Sequence, residues 1–232
     1  MLVWTVVNRI NQEYEQLNQE GYLVCDHTHK SCLPNTPDFD DFKLCYDWMA
    51  QKLEEYVGNP KHLVYPRWVW YKIDGSTDIS TVDKMFYSRE PGSYQVLIFD
   101  IDPSSVLLSD YDAWHVCLNR GYLATTEEED LQWDEYVLSL DIKNGPYIWD
   151  NKYFDSLSDN KKSSIFQVQD KIIKSWDLIF DIDNESEYAF CSNDEKTIQG
   201  VTWILQKKDL VSVHDFVITQ EDVDAYYQAL DE

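Results

Sequence analysis

The stretch Val106-Leu107-Leu108-Ser109-Asp110-Tyr111-Asp112-Ala113-Trp114-His115-Val116-Cys117-Leu118-Asn119 changes character twice. An apolar run comes first, then a polar step, then a short amphipathic segment. We predict that a strand over 106–108 leads into a helix over 111–119, with Ser109 or Asp110 as the N-cap. Carboxylates at that position also favour the positive end of the helix dipole. The stretch therefore predicts where a sheet joins a helix.

The same stretch contains a polar cluster, Asp110, Asp112 and His115, which permits a catalytic interpretation. Asp112 and His115 are three residues apart, so they share one face of a helix, where such a pair can orient a general base. No Gly-x-Ser-x-Gly elbow supplies a nucleophile. We favour a structural role instead, in which the cap, Trp114 and His115 anchor the helix on the sheet.

Strand and helix patterns alternate on both sides of this stretch. Apolar alternation and β-branched residues predict strands over 2–7, 22–25, 67–73, 94–101, 197–205 and 211–217. Apolar residues at helical spacing predict helices over 11–20, 42–57, 125–141, most of 163–180 and 220–230. Gly21 is expected to end the first helix, Thr125 or Thr126 to cap the third long one, and the polar segment 150–160 to be a loop.

The order of these elements predicts the fold class α+β, in one domain with a mixed or antiparallel split sheet. The expected domain covers residues 1–217 and includes an acidic helical insertion over about residues 120–196. Residues 218–232 are expected to form a C-terminal acidic helix. No stretch of the sequence has the composition of an interdomain linker.

The charge balance restricts the class of partner. The chain has 43 acidic and 19 basic residues and a formal net charge of −24. Such a surface repels nucleic-acid phosphates and anionic membranes, so we expect neither as a direct partner. The charge supports solubility. It also suits an acidic protein that occupies a nucleic-acid-binding surface of a protein partner.

The five cysteines and the N-terminal sequence predict a cytoplasmic location. The cysteine spacing is not that of a disulfide framework, no signal peptide is apparent, and no apolar run is long enough to span a bilayer. We therefore expect reduced thiols. The segment Cys25-Asp26-His27-Thr28-His29-Lys30-Ser31-Cys32 carries zinc-type ligands, but the spacing is not that of a standard zinc finger, and we expect no metal.

Several segments resemble a family of uncharacterised bacterial and phage proteins. The most specific of them is the central Leu-Ser-Asp-aromatic-Asp-x-Trp-His pattern of residues 108–115. The others are Leu2-Val3-Trp4-Thr5, Gly21-Tyr22-Leu23, Tyr46-Asp47-Trp48-Met49, Tyr65-Pro66-Arg67-Trp68-Val69-Trp70-Tyr71, Ser175-Trp176-Asp177-Leu178-Ile179-Phe180-Asp181 and Ile198-Gln199-Gly200-Val201-Thr202-Trp203. Together they span most of residues 2–217. This resemblance implies no activity.

A second resemblance is to ADP-ribosyltransferase-like domains. Trp4 and Thr5, then Tyr71 or Tyr87, then Gln199 follow the order of polar and aromatic positions in those domains. The resemblance implies that NAD binds in a cleft of a split sheet. Trp4 and Thr5 would position the nicotinamide ribose, a tyrosine would stack, and Gln199 would take the catalytic place at the reacting carbon. That place usually carries Glu, and Gln199 has no charge to stabilise a cation.

Two functional hypotheses follow from the sequence. The first is an ADP-ribosyltransferase-like domain that binds NAD or a related nucleotide, with or without turnover, in bacterial or phage conflict. The second is a non-enzymatic acidic protein that blocks a basic surface of a partner. Glycine-rich phosphate-binding loops are absent from the sequence, which argues against nucleotide hydrolysis of the P-loop type and against a dinucleotide-binding Rossmann domain.

Overall fold

A computed structural model describes residues 1–25, 39–79, 90–186 and 188–230. The chain divides into two compact units. One unit consists of residues 1–108 and 198–232, and the other of residues 109–197. The predicted helical insertion over 120–196 lies inside the second unit. The chain passes from one unit to the other between residues 108 and 109, within a strand, and returns between residues 197 and 198, where another strand begins.

The strands of these described ranges form one six-stranded and one two-stranded sheet. In chain order they are β1 (Leu2–Asn8), β2 (Tyr22–Leu23), β3 (Arg67–Lys72), β4 (Gly92–Asp100), β5 (Leu107–Asp110), β6 (Ile198–Thr202), β7 (Leu205–Gln206) and β8 (Leu210–Ile218). The large sheet has the order β5-β6-β3-β1-β4-β8, and β2 pairs with β7. β1 pairs with β3 and β4, β3 with β6, and β4 with β8, each time antiparallel.

The helices of the described residues are α1 (Glu13–Glu20), α2 (Phe39–Val57), α3 (Tyr111–Leu118), α4 (Glu127–Ser139), α5 (Asn151–Asp155), α6 (Asp159–Ser175) and α7 (Gln220–Leu230). The fold class α+β, with a mostly antiparallel sheet, is thus confirmed. None of the described helices is both long enough and apolar enough to cross a membrane.

Side chains on a strand alternate between the two faces of the sheet. In the first unit, both faces of the large sheet carry buried apolar residues. One core contains Val3, Val7, Leu17, Leu23, Val69, Leu97, Phe99, Ile101, Val106 and Leu205. The other contains Trp4, Ile73, Tyr94, Val96, Ile98 and Ile218, and Trp70 packs against it. We call the second face the Trp4 face.

A buried ion pair connects α1 to the sheet. Arg67 Nη2 lies 2.7 Å from Glu13 Oε1, and the two side chains are 13% and 3% exposed. Gly21 ends α1 as predicted, with φ of 81°, a left-handed conformation that glycine adopts without steric cost. Gly21 O then accepts a hydrogen bond from Lys207 N at 2.8 Å, next to the β2–β7 pair.

Capping residues define the helices of the second unit. Asp110 is the N-cap of α3 and accepts a hydrogen bond from Ala113 N, which decides between the two predicted caps. Thr126 does the same for α4 through Glu129 N. The predicted loop over 150–160 is wrong, because Asp150 accepts from Lys152 N and Tyr153 N and starts α5. The sequence pattern missed this helix because it is short and polar.

Two other predicted elements are divided in the structure. The predicted helix over 163–180 starts earlier, at Asp159, and its last turn is a 3-10 helix, Trp176–Phe180. The predicted strand over 197–205 consists of β6 and β7, which belong to different sheets. A continuous apolar sequence does not show where a strand changes its partner.

The expectation that all cysteines are reduced thiols does not hold for every described cysteine. Cys25 is disulfide-bonded, so the expectation is wrong for this residue. Cys45, Cys117 and Cys191 form no disulfide bond. Residues 26–32 of the Cys/His segment considered for zinc lie outside the described residues. Among the described residues, no group of three or more His, Cys, Asp or Glu is arranged to hold a metal ion.

Candidate functional site

Three of the aromatic and polar residues in the first unit form one row across the sheet. Trp4 on β1 is the register partner of Trp70 on β3, and Trp70 is the partner of Gln199 on β6. Directly opposed residues on neighbouring strands point to the same face. The row Gln199–Trp70–Trp4 therefore lies on the Trp4 face. Its members are far apart in sequence, and the pairing of their strands makes them neighbours.

Two buried hydrogen-bond donors in this row lack an acceptor. Trp4 is 1% and Gln199 5% exposed. Neither Trp4 Nε1 nor Gln199 Nε2 has a hydrogen-bond partner among the described residues. A buried donor without an acceptor costs about 1–3 kcal/mol, and native proteins contain few of them. Two such donors in one row are suited to a ligand that presents acceptor oxygen or nitrogen atoms.

The other residues predicted for this site have different locations. Thr5 follows Trp4 directly on a regular strand, so its side chain points to the opposite face, where it is 6% exposed. Tyr71 is half-buried and is the extra residue of a β-bulge, because Trp70 pairs with Gln199 while Lys72 pairs with Ile198. Tyr87 lies outside the described residues.

A second buried polar centre lies in the second unit. Lys196 and Asp110 are each 1% exposed, and Lys196 Nζ lies 4.0 Å from Asp110 Oδ2. Lys196 Nζ also donates hydrogen bonds to the carbonyl oxygens of Ile182 and Asn184. Asp110 Oδ1 accepts from Ala113 N at 2.9 Å, whereas Asp110 Oδ2 has no hydrogen-bond partner among the described residues.

The electrostatics of this centre follow from its burial. Burial raises the pKa of Asp110, and the Ala113 N–H and the charge on Lys196 offset only part of that effect. Burial also raises the pKa of the Cys191 thiol, together with the nearby carboxylate of Asp112, whose Oδ2 lies 3.6 Å from Cys191 Sγ. A raised pKa disfavours the thiolate, so this environment does not activate Cys191 as a nucleophile.

The predicted polar cluster Asp110, Asp112 and His115 does not form a hydrogen-bonded group. His115 is exposed, and its Nδ1 lies 2.9 Å from Tyr111 O of its own helix. No hydrogen bond joins Asp112 to His115 among the described residues. Trp114 is buried, at 3% exposed. Because His115 is exposed, the expectation that it anchors the helix is wrong. Asp110 acts as a helix cap.

Sequence reasoning missed Lys196 and Trp70 as site residues. Lys196 follows an acidic segment and looks like a solvated charge, and only its position immediately before a strand hints at burial. Trp70 lies in the predicted strand over 67–73, but nothing in the sequence shows that it lies between Trp4 and Gln199. Strand register decides this position, and register depends on the whole sheet.

The fold is that of an α+β protein with a mostly antiparallel sheet. It has one buried polar row on the Trp4 face of the first unit and one buried polar centre in the second unit. The chain belongs to the family described as domain of unknown function (DUF3841), whose family model matches residues 2–211. The resemblance to an uncharacterised family is thereby confirmed. No curated protein and no solved structure matches the chain.

Proposed function

We propose that the Trp4 face binds NAD or a related nucleotide, as in an ADP-ribosyltransferase-like domain. The observation that supports this function is a pair of buried donors, Trp4 Nε1 and Gln199 Nε2, which lie in one row and have no acceptor among the described residues. A carboxamide oxygen or a ring nitrogen is an acceptor for such donors. Trp70, half-buried between them, offers an aromatic surface to a planar ring.

The chemistry of Gln199 favours binding over turnover. A neutral amide can donate a hydrogen bond, but it cannot accept a proton as a base or place a negative charge beside a developing cation. Bond cleavage between nicotinamide and ribose gains from a nearby carboxylate, because positive charge develops on the ribose. We therefore propose a domain that holds the nucleotide without rapid hydrolysis. Asp110 and Lys196 have no role in this proposal.

A thermal-shift titration with NAD, ADP-ribose and nicotinamide tests the proposal. Ligand that binds the folded state raises the melting temperature with concentration, and NAD should do so for the wild type. Gln199→Met removes the donor at nearly constant volume and should abolish the NAD-dependent shift. Gln95→Met is the matched control, because Gln95 is also buried on this sheet but already donates to Asp215.

The outcomes of this titration are distinguishable. A wild-type melting temperature that does not move at millimolar NAD, ADP-ribose or nicotinamide removes the proposal. Equal ligand-dependent shifts in the wild type and in Gln199→Met would place the nucleotide elsewhere and reject this site. Chromatographic analysis of NAD after prolonged incubation measures turnover separately, and we expect intact nucleotide.

We propose, as a second candidate function, that the acidic surface occupies a basic surface of a protein partner. A stripe along α4 supports this candidate: Glu128, Leu131, Glu135 and Leu138 are three or four residues apart, and all four are exposed. Leu131 is 59% and Leu138 77% exposed. Carboxylates beside exposed leucines are complementary to a basic surface with apolar contacts.

Salt dependence tests this second candidate. A complex of this chain with a basic partner should weaken steeply as salt rises from low to physiological and higher concentrations, because exposed charges are screened. Leu138→Ser should weaken the same complex, whereas Leu2→Ser, at another exposed leucine, should not. A complex that is insensitive both to salt and to Leu138→Ser would contradict it.

A further inference from the structure

The exposed side of α4 has a heptad pattern. Six exposed residues form three pairs whose members are seven residues apart: Leu131 and Leu138, Glu128 and Glu135, and Glu127 and Asp134. Seven residues make almost two helical turns, so the two members of each pair lie one above the other on the helix. We call these six residues the α4 surface.

The two leucines lie along the middle of the α4 surface. At about 100° per residue, one pair of carboxylates lies on each side of the line that joins Leu131 to Leu138. The leucines are 59% and 77% exposed. Trp133 and Val137 are buried on the opposite side of α4. The α4 surface is therefore an apolar line between two acidic borders, and it points away from the residues that pack α4.

The carboxylates of the α4 surface have no cation beside them. None of the four takes part in an ion pair among the described residues. Glu128 Oε1 accepts a hydrogen bond from Gln132 Nε2 at 3.1 Å, and Asp134 Oδ1 accepts one from Asn144 Nδ2 at 2.9 Å. Both donors are neutral amides. The acidic borders are thus complementary to lysine or arginine side chains of another protein.

The distance between the leucines indicates which kind of element fits them. A rise of about 1.5 Å per residue separates Leu131 and Leu138 by about 10.5 Å along the axis of α4. On a second helix, residues seven apart repeat at the same distance. On a strand, residues of one face repeat at about 6.7 Å and about 13 Å, which does not match. The spacing therefore fits a helix and not a strand.

We propose that the α4 surface binds an amphipathic α-helix of a protein partner. That helix has apolar residues at heptad spacing and lysine or arginine on both sides of them. Its apolar side chains pack against Leu131 and Leu138, and its cations pair with the acidic borders, as residues do across a coiled coil. The inference rests on the second candidate function, a basic protein partner, and adds the secondary structure and the residue pattern of that partner.

The length of α4 determines how the partner helix behaves. α4 has 13 residues, so the contact extends over less than two heptads. A separate helix of similar length is only marginally stable in water. The partner segment should therefore gain helix when it binds, and the cost of ordering it lowers the affinity. A gain of helix on binding distinguishes this contact from a purely electrostatic one.

Fluorescence anisotropy of the full chain with three synthetic peptides tests the proposal. The first peptide has leucine at positions a and d and lysine at positions e and g of three heptads, so that like charges oppose its self-association. The second has the same composition without a heptad repeat, and the third has glutamate in place of lysine. The wild type should bind the first about tenfold or more tightly than the second, and should not bind the third.

Two further measurements characterise the complex with the first peptide. Circular dichroism should show that helix is gained on mixing, beyond the sum of the separate spectra. The affinity should fall as salt rises, because the paired charges are exposed to solvent.

Variants at exposed positions locate the peptide. Leu138→Ser should weaken binding of the first peptide about tenfold or more. Leu2→Ser, at an exposed leucine of β1, is its matched control and should bind as the wild type does. Glu135→Lys should weaken binding of the lysine peptide and allow binding of the glutamate peptide. Glu54→Lys, at an exposed position of α2, changes the net charge equally and should do neither.

The outcomes separate this inference from the candidate function on which it rests. Equal, salt-sensitive binding of both lysine peptides would overturn the helix contact and leave a basic partner in place. No binding of the first peptide by the wild type would also overturn the inference, while the salt dependence of a partner complex still tests the candidate function. Wild-type affinity in both Leu138→Ser and Glu135→Lys would place the peptide elsewhere and reject the α4 surface.

Discussion

Lys196 Nζ lies 4.0 Å from Asp110 Oδ2, and each of the two side chains is 1% exposed. Asp110 caps α3, and Lys196 holds the carbonyl oxygens of Ile182 and Asn184. The pair thus connects the start of a helix to the irregular segment that precedes β6. Two charges are removed from water together, and each reduces the desolvation cost of the other.

Removal of one partner of this pair should cost more than removal of both. Lys196→Met leaves the buried Asp110 carboxylate without its cation, and we expect the free energy of unfolding to fall by about 3–5 kcal/mol. The double variant Asp110→Asn/Lys196→Met should be more stable than Lys196→Met, since Asn caps a helix as well as Asp does. Urea unfolding measures all three chains. Additive losses would show that the two residues do not interact.

The raised pKa of Asp110 has its own consequence for pH dependence. A carboxyl group with a higher pKa in the folded than in the unfolded state binds more protons when folded, so its contribution to stability falls as pH rises between those two values. Asp110→Asn lacks this titration. Its stability relative to the wild type should therefore increase from about pH 3 to pH 7. A constant difference across this range would contradict the raised pKa.

Gly200 is required by the close approach of β5. A Cβ atom at this position would lie 2.9 Å from Leu108 Cδ2 and 2.9 Å from Val106 Cγ2. Gly200→Ala should reduce the free energy of unfolding by about 1–3 kcal/mol through overpacking. Leu108→Ala should recover part of that loss in the same chain, because it opens space for the new methyl group. Chemical denaturation of the two single variants and the double variant gives the coupling free energy between the two positions. Losses in the free energy of unfolding that simply add would exclude a direct clash.

The N-terminus of α4 should lose stability in acid. Glu129 Oε2 accepts from Thr125 N at 2.8 Å, and Thr126 Oγ1 accepts from Glu129 N at 3.1 Å. The hydrogen bond from the Thr125 N–H is the main reason why the pKa of Glu129 is lowered. Its contribution is present above the ordinary Glu pKa and is lost as pH falls through the lowered folded-state value.

Glu129→Gln and Thr126→Ala measure this contribution. Thr126→Ala should cost about 1 kcal/mol at every pH, because the hydroxyl does not titrate in this range. Glu129→Gln should cost stability at pH 7, and its difference from the wild type should shrink toward about pH 3. A Glu129→Gln effect that is the same at both pH values would assign the loss to packing and not to charge.

Gln199 should lower the stability of the unliganded protein, because its buried amide donor is available for a ligand. Its buried Nε2 has no acceptor among the described residues, so Gln199→Met removes a desolvation cost and should raise the free energy of unfolding of the unliganded protein by up to about 1–3 kcal/mol. Gln95→Met breaks the 2.9 Å hydrogen bond to Asp215 and should lower it. Thermal melts without ligand compare the two. A destabilised Gln199→Met would indicate that this amide is satisfied in solution.

Local features of the chain were predictable because short-range chemistry produces them. Gly21 ends α1, Thr126 caps α4, and the stretch around Asp110 passes from strand to helix, each from residues within one turn of the feature. Apolar alternation identified most strands and the α+β class. The short polar helix α5 escaped prediction because its pattern carries no apolar face.

The candidate sites depended on tertiary structure. Trp4 and Gln199 were singled out from the sequence, but only the pairing of β1, β3 and β6 brings them into one row with Trp70 and sends Thr5 to the other face. The sequence around Lys196 indicates an exposed charge, whereas in the structure Lys196 is buried beside Asp110. By itself, the sequence determined the type of most segments and the helix ends at Gly21, Asp110 and Thr126, because residues within one turn decide backbone hydrogen bonding there. Strand register and burial decided the rest, because they are set by contacts between residues far apart in the chain.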